Sequence, residues 1–289
     1  MTHSGGWQKQ KAIGVVAEGL QFPEGPFWSS RDNCVYFVEW GGEKICAFQD
    51  GKVRIIYETQ PGDGPNGLWQ DQDGNLWLCM YSSRKLLQLR PSGEILQTID
   101  NHNGERFKGP NDLVIDAKGG IYFTDSGNSK DDWITGRPAG DIYYLTPEGK
   151  LLQVDSKLCY PNGIAISLDG KSLIVNEHRK NRVLKYSLDP NGTLSNRRVF
   201  FEMDSECLLD ESLRYELGPD GMCLDSQGNF WVAHYGGGKV VALSPEGKLL
   251  GKVYLPQGRQ PTNIAFDVGK KALYVTEGEL GLLYRIYLE

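Results

Sequence analysis

The chain repeats one short phrase six times. "FPEGPFWS", "GPNGLWQD", "GPNDLVID", "YPNGIAIS", "GPDGMCLD" and "QPTNIAFD" each hold a proline, one variable residue and then a short apolar run. The variable residues are Glu24, Asn66, Asn111, Asn162, Asp220 and Thr262, at successive spacings of 42, 45, 51, 58 and 42 residues. A repeat of this length constrains a fold more strongly than local propensity does. No single copy can bury its own apolar face, so the copies must stack on one another.

A second apolar run follows each phrase, as in "CVYFVEW", "NLWLCMY" and "NFWVAHY", most often after a turn such as "DQDGN" or "DSQGN". A third run follows ("KICAFQD", "KVVALSP"), and then, in five copies, a fourth ("VRIIYE", "LLGKVYL"). Short alternating runs separated by Asp/Gly turns are the signature of hairpin-linked antiparallel strands. The sixth copy ends after three runs, whereas "AIGVVAE" at residues 12–18 precedes the first copy without companions. The expected fold is therefore all-β. It is a six-bladed β-propeller with four antiparallel strands per blade, the N-terminal strand closing the last blade and covering its edge. Residues 1–289 are expected to form one propeller domain. A β-helix would need shorter rungs, and leucine-rich repeats would need leucines at fixed offsets.

Two copies are longer than the rest. Residues 126–141 and 201–218 are expected to shape the rim of a pocket. The acidic residues of the second stretch, Glu202, Asp204, Glu206, Asp210, Glu211 and Glu216, read as a solvated face.

Composition narrows the function. With a net charge of −6 and no extended basic run, a nucleic-acid groove is not expected. No apolar stretch reaches the ~18 residues of a membrane span, and the polar opening "MTHSGGWQKQ" does not resemble a signal peptide. A cytoplasmic protein with a small-molecule substrate is expected. Cys34, Cys46, Cys79, Cys159, Cys207 and Cys223 lie scattered, without a CxxC pair or a Cys–His ligand spacing, and read as free thiols.

In a propeller the first strand of each blade lines the central channel. The six variable residues would then meet near one mouth of it. Two of them, Glu24 and Asp220, are carboxylates, and none is basic. At ~4 Å and an effective dielectric of ~20, two like charges repel by about 4 kcal/mol. A divalent cation is the natural counter-charge for such an all-oxygen set: Ca²⁺ first, with Mg²⁺, Mn²⁺ or Zn²⁺ as alternatives. Any one Pro-Asn-Gly is an ordinary turn. Six copies without a basic residue are harder to explain as turns alone.

"EGPFW", "PNDLVID", "PNGIAIS", "GPDGMCLD" and "RQPTNIAF" together resemble the SMP-30/gluconolactonase/luciferin-regenerating family over nearly the whole chain. The resemblance implies a six-bladed propeller with a divalent ion at one channel mouth. It implies metal ligands at Glu24, Asn162 and Asp220, with Asn111 holding metal or substrate. It also implies that Asp112 faces the pocket, and Asn66 is read as lining the substrate space. The implied reaction is hydrolysis of a carboxylic ester, most simply a lactone. Asp220 would act as general base toward the attacking water, on a carbonyl polarised by the ion. One departure concerns Arg106. Sugar-lactonase members carry an arginine two residues before the asparagine, whereas Arg106 stands five before Asn111, so a sugar-contacting role does not transfer. His178 and His234 both end second runs and could face the same mouth. A phosphotriesterase-like hydrolase and a non-catalytic calcium-binding propeller stay open as alternatives, and a strictosidine-synthase-like propeller is a more distant one.

Overall fold

The computed structural model describes residues 10–127 and 130–289. Six four-stranded antiparallel sheets follow one another in sequence order, and their innermost strands are Pro23–Ser29, Pro65–Gln70, Pro110–Ile115, Pro161–Ile166, Gly218–Leu224 and Pro261–Asp267. Each innermost strand packs against its two neighbours, and the last packs against the first. The result is a six-bladed β-propeller. Its sixth sheet is completed by the N-terminal strand Gln10–Ala17, which pairs antiparallel with Leu282–Leu288 on the outer edge.

The strand pattern explains where the core lies. Side chains alternate between the two faces of a strand, and each blade is covered by a neighbour on both faces. In Cys34–Glu39, Cys34, Tyr36 and Val38 pack toward the second blade, while Val35 and Phe37 pack toward the sixth. Both sets are buried, which is why the strand reads as a continuous apolar run. The same arrangement around the ring gives six interblade cores.

The turns follow from their aspartates. Asp71 Oδ1 accepts from the backbone N–H groups of Asp73 and Asn75 at 3.0 and 2.9 Å, and Asp225 Oδ1 does the same for Gln227 and Asn229. Of the acids in the 201–218 stretch, Glu202, Glu206, Asp210 and Glu211 are exposed, as expected, and Asp204 and Glu216 are half-buried. Asp204 and Glu206 clasp Lys239, whose side chain is fully buried, at 2.8 and 2.7 Å. Among the described residues there is one short α-helix, Lys130–Thr135, in the 126–141 insertion, and two 3-10 turns. Among the described residues no helix is long and apolar enough to cross a membrane. The cysteines are free, as expected.

Candidate metal centre

The innermost strands approach each other so closely that the residue after the variable one is under steric control. A Cβ at Gly25 would lie 2.1 Å from the carbonyl oxygen of Asn66, and one at Gly163 would lie 2.4 Å from that of Asp220. These glycines let successive blades lean together and bring the variable residues to a common axis. In the third and sixth copies the glycine is replaced by Asp112 and Asn263. Those two blades stand opposite each other in the ring, and Asn263 Nδ2 donates to Asp112 Oδ2 across the channel at 3.4 Å. The sites that face them carry no side chain: a Cβ at Gly67 or Gly221 would collide with Asp112 or Asn263.

Glu24, Asn66, Asn111, Asn162 and Asp220 line one cavity of about 360 Å³ at the channel mouth. All five are buried. Thr262, the sixth variable residue, does not line it. Its hydroxyl donates to the Pro23 carbonyl at 2.7 Å and lies 2.7 Å from the Thr276 hydroxyl, which ties the last blade to the first. Asp112 is also elsewhere. It lines a second cavity of about 380 Å³ at the opposite end of the channel, together with Asn263 and a largely apolar wall. Arg106 is exposed, donates to the Ser83 carbonyl, and does not line the mouth.

Glu24 and Asp220 lie together at the mouth, and Asp112, further along the channel, is near enough for its charge to reach both. Burial raises the Glu24 carboxyl to about 8, and the nearby Asp112 charge pushes the same way against a hydrogen bond from Gly25 N–H. Burial, then the charges of Glu24 and Asp112, holds Asp220 well above the ordinary carboxylate range, although Asn162 hydrogen-bonds to it. Burial likewise raises Asp112 to about 7. Among the described residues that line the mouth, none is lysine or arginine. His178 lines it, but burial lowers its imidazole to about 3, so it brings no positive charge at neutral pH.

The donor set fits a hard divalent cation. Asp220 Oδ1 and Asn66 Oδ1 are buried oxygens with no hydrogen-bond partner. A buried polar atom left unpaired is costly, and oxygens converging beside uncompensated carboxylates are what such a cation requires. Among the described residues no three His, Cys, Asp or Glu side chains gather as a metal cluster. The candidate set is instead two carboxylates, Glu24 and Asp220, completed by amides.

Sequence reasoning missed the wall of this cavity. Phe22, Trp40, Tyr81, Trp133, Tyr160 and Tyr235 line it, with His178 and Glu216. A signal for four of them was present. Trp40, Tyr81, His178 and Tyr235 occupy the same register, the last position of the second run in their copies. The position before it is structural. There Glu39, Asp125, Glu177 and Glu277 accept backbone N–H groups from the loop entering the innermost strand, at Gln21, Lys108, Cys159 and Gln260. His234 sits in that structural register, bonded to Asn181 at 3.0 Å, and does not line the mouth. Trp133 and Glu216 come from the two long insertions, as their length suggested.

A six-bladed ring with an oxygen-lined, aromatic-walled mouth defines the class. Residues 22–279 match the SMP-30/Gluconolactonase/LRE-like region family, and the chain belongs to it. A gluconolactonase of Zymomonas mobilis is 29% identical over 283 residues, covering 91% of this chain and 78% of that protein. Two solved structures share the fold. A gluconolactonase from Xanthomonas campestris matches with a TM-score of 0.83 at 22% identity, covering 100% of this chain and 94% of that one. A calcium-binding regucalcin from Agrobacterium tumefaciens matches with a TM-score of 0.76 at 19% identity, covering 96% and 94%.

Proposed function

We propose that this chain is a metal-dependent hydrolase that opens lactone rings. The observation that carries the reading is the mouth itself: Glu24 and Asp220 buried beside three amides, with no lysine or arginine among the described residues that line it. The gluconolactonase relative supports the reaction class. Glu24, Asn162 and Asp220, with Asn111 beside them, would hold a divalent cation, Ca²⁺ before Mg²⁺, Mn²⁺ or Zn²⁺. When bound, the ion supplies Lewis-acid stabilisation of the negative charge that develops on the lactone carbonyl oxygen.

The chain's own residues supply the rest. Asp220 has a carboxylate oxygen with no hydrogen-bond partner, which supports a role in taking a proton from a water that adds to the carbonyl carbon. The ring C–O bond then breaks, and the departing alkoxide recovers a proton to give a hydroxy acid. Asn162, beside Asp220, favours its charged form. Asn66 offers its unpaired Oδ1 to a hydroxyl or water in the mouth. The aromatic wall limits access of bulk water.

The test is hydrolysis of a lactone panel by protein stripped with a chelator, then reloaded with Ca²⁺. Activity should vanish on stripping and return on reloading. In Asp220→Asn, kcat should fall by about 10²-fold or more. Near wild-type turnover in metal-loaded Asp220→Asn would remove the general-base role, and undiminished activity after stripping would remove the metal.

A further inference from the structure

We infer that the mouth selects neutral lactones carrying a flat apolar group, such as a fused aromatic ring, over polyhydroxylated or anionic ones. Trp133 is the residue that sets this preference, and Arg179 positions it. The reaction rests on the hydrolase reading above, whereas the binding preference can be read without turnover.

The wall is largely aromatic, and the hydroxyls of Tyr81 and Tyr160 are already engaged. Tyr81 donates its hydroxyl proton to the Gly127 carbonyl at 2.9 Å, so the 2.7 Å contact between Tyr81 and Tyr160 uses the Tyr160 proton. Neither has a proton left for a sugar hydroxyl. Flat apolar groups pack well against such rings. The carboxylates and amides of the innermost strands mark where the ester group would sit. A substituent extends along the wall instead. Anions are disfavoured as well: with Glu24 and Asp220 taken up by the cation, Glu216 remains on the lining and no described lysine or arginine lines the mouth to pair with a negative substituent.

Trp133 is placed by a dedicated clasp. Its ring meets Tyr160 edge-on at 4.6 Å and lies 4.9 Å from His178. Arg179 Nε donates to the Trp133 carbonyl at 2.6 Å, and its Nη2 donates to the Ile134 carbonyl at 3.0 Å. The same guanidinium lies 5.6 Å from the Trp133 ring and 5.4 Å from that of Tyr215, on the other long insertion. One side chain thereby joins both rim insertions. A planar, many-donor cation does this better than lysine can.

The experiment compares kcat/KM of Ca²⁺-loaded protein for a benzo-fused six-membered lactone, an unsubstituted six-membered lactone and glucono-1,5-lactone. Wild type should prefer them in that order. Trp133→Ala should lower kcat/KM for the benzo-fused lactone by about tenfold to hundredfold, through KM, and change the unsubstituted lactone by less than about threefold. Trp133→Phe should retain most of the preference. Arg179→Ala should show the same KM-directed loss, with Arg179→Lys partly restoring it. A wild-type preference for glucono-1,5-lactone, or equal losses on all three substrates, would overturn the inference. In parallel, a benzo-fused lactam and an unsubstituted lactam, neither of which is hydrolysed, are titrated into wild type and Trp133→Ala. If no lactone is turned over, the hydrolase reading fails. Tighter lactam binding than that of an unsubstituted lactam, weakened in Trp133→Ala, would still sustain the selectivity, and equal binding would overturn it.

Discussion

Glu24 shows how a single side chain couples the site to the stability of the ring. Its carboxyl is raised to about 8 by burial, from a usual value near 4.5. Below pH 4.5 the group is protonated in folded and unfolded chains alike. Between 4.5 and about 8 only the folded chain holds the proton, so folding weakens as pH rises through this window. Metal-stripped protein should therefore lose roughly 3 kcal/mol of unfolding free energy between pH 5 and pH 8, measured by urea denaturation in chelator. Glu24→Gln should flatten that profile, and saturating Ca²⁺ should reverse it in the wild type, because the bound ion favours the charged form. A slope unchanged by Glu24→Gln would contradict the assignment. Residues of this kind were legible in the chain because they recur in a repeat. The two histidines were not separable in the same way. His178 and His234 end similar runs, but they differ by one register position, and that step decides between the mouth and the loop-bracing row.

Among the elements, the N-terminal strand has the largest single consequence. Gln10–Ala17 follows Leu282–Leu288 through six paired positions, interrupted by two irregularities. Ile13 adds to the core between the fifth and sixth blades, and Val16 and Ala17 to that between the sixth and first. Removing residues 10–17 would uncover a row of unpaired backbone groups on an apolar blade. Unfolding free energy should fall by at least about 3 kcal/mol, and the truncated protein should self-associate, as measured by urea titration and light scattering. Unchanged stability would mean that the closure is ornamental. The strand was legible because the sixth copy lacks a fourth run while a spare one stands at the other end. The small hairpin of Asn101–His102 and Glu105–Arg106 was not, since two-residue strands carry no periodicity.

At the scale of the whole molecule, glycine spacing turns six sheets into one site. Gly163 illustrates it. The 2.4 Å gap from its Cβ position to the Asp220 carbonyl means that Gly163→Ala must push apart the fourth and fifth blades. That substitution should cost about 1–3 kcal/mol and displace Asp220, so lactone turnover should fall by more than stability alone explains. Gly14, whose added Cβ meets nothing within 4 Å, provides the control, and Gly14→Ala should leave turnover unchanged. Equal effects of the two substitutions would argue against close approach as the reason for the motif.

What the sequence alone determined is the local and the periodic. Short apolar runs placed the strands, Asp/Gly turns joined them, and six copies required a ring. The ring brought five oxygen-bearing side chains to one mouth. What only the tertiary structure decided is which non-repeating groups meet there. Thr262 turned aside to tie the last blade to the first, and Asp112 reached across the channel to Asn263. Trp133 was drawn over the mouth by Arg179, a residue some forty-five positions away in sequence. The physical reason is distance. Period and turn chemistry act between neighbours in the chain, and these contacts form between residues that the chain separates and the closed ring brings together.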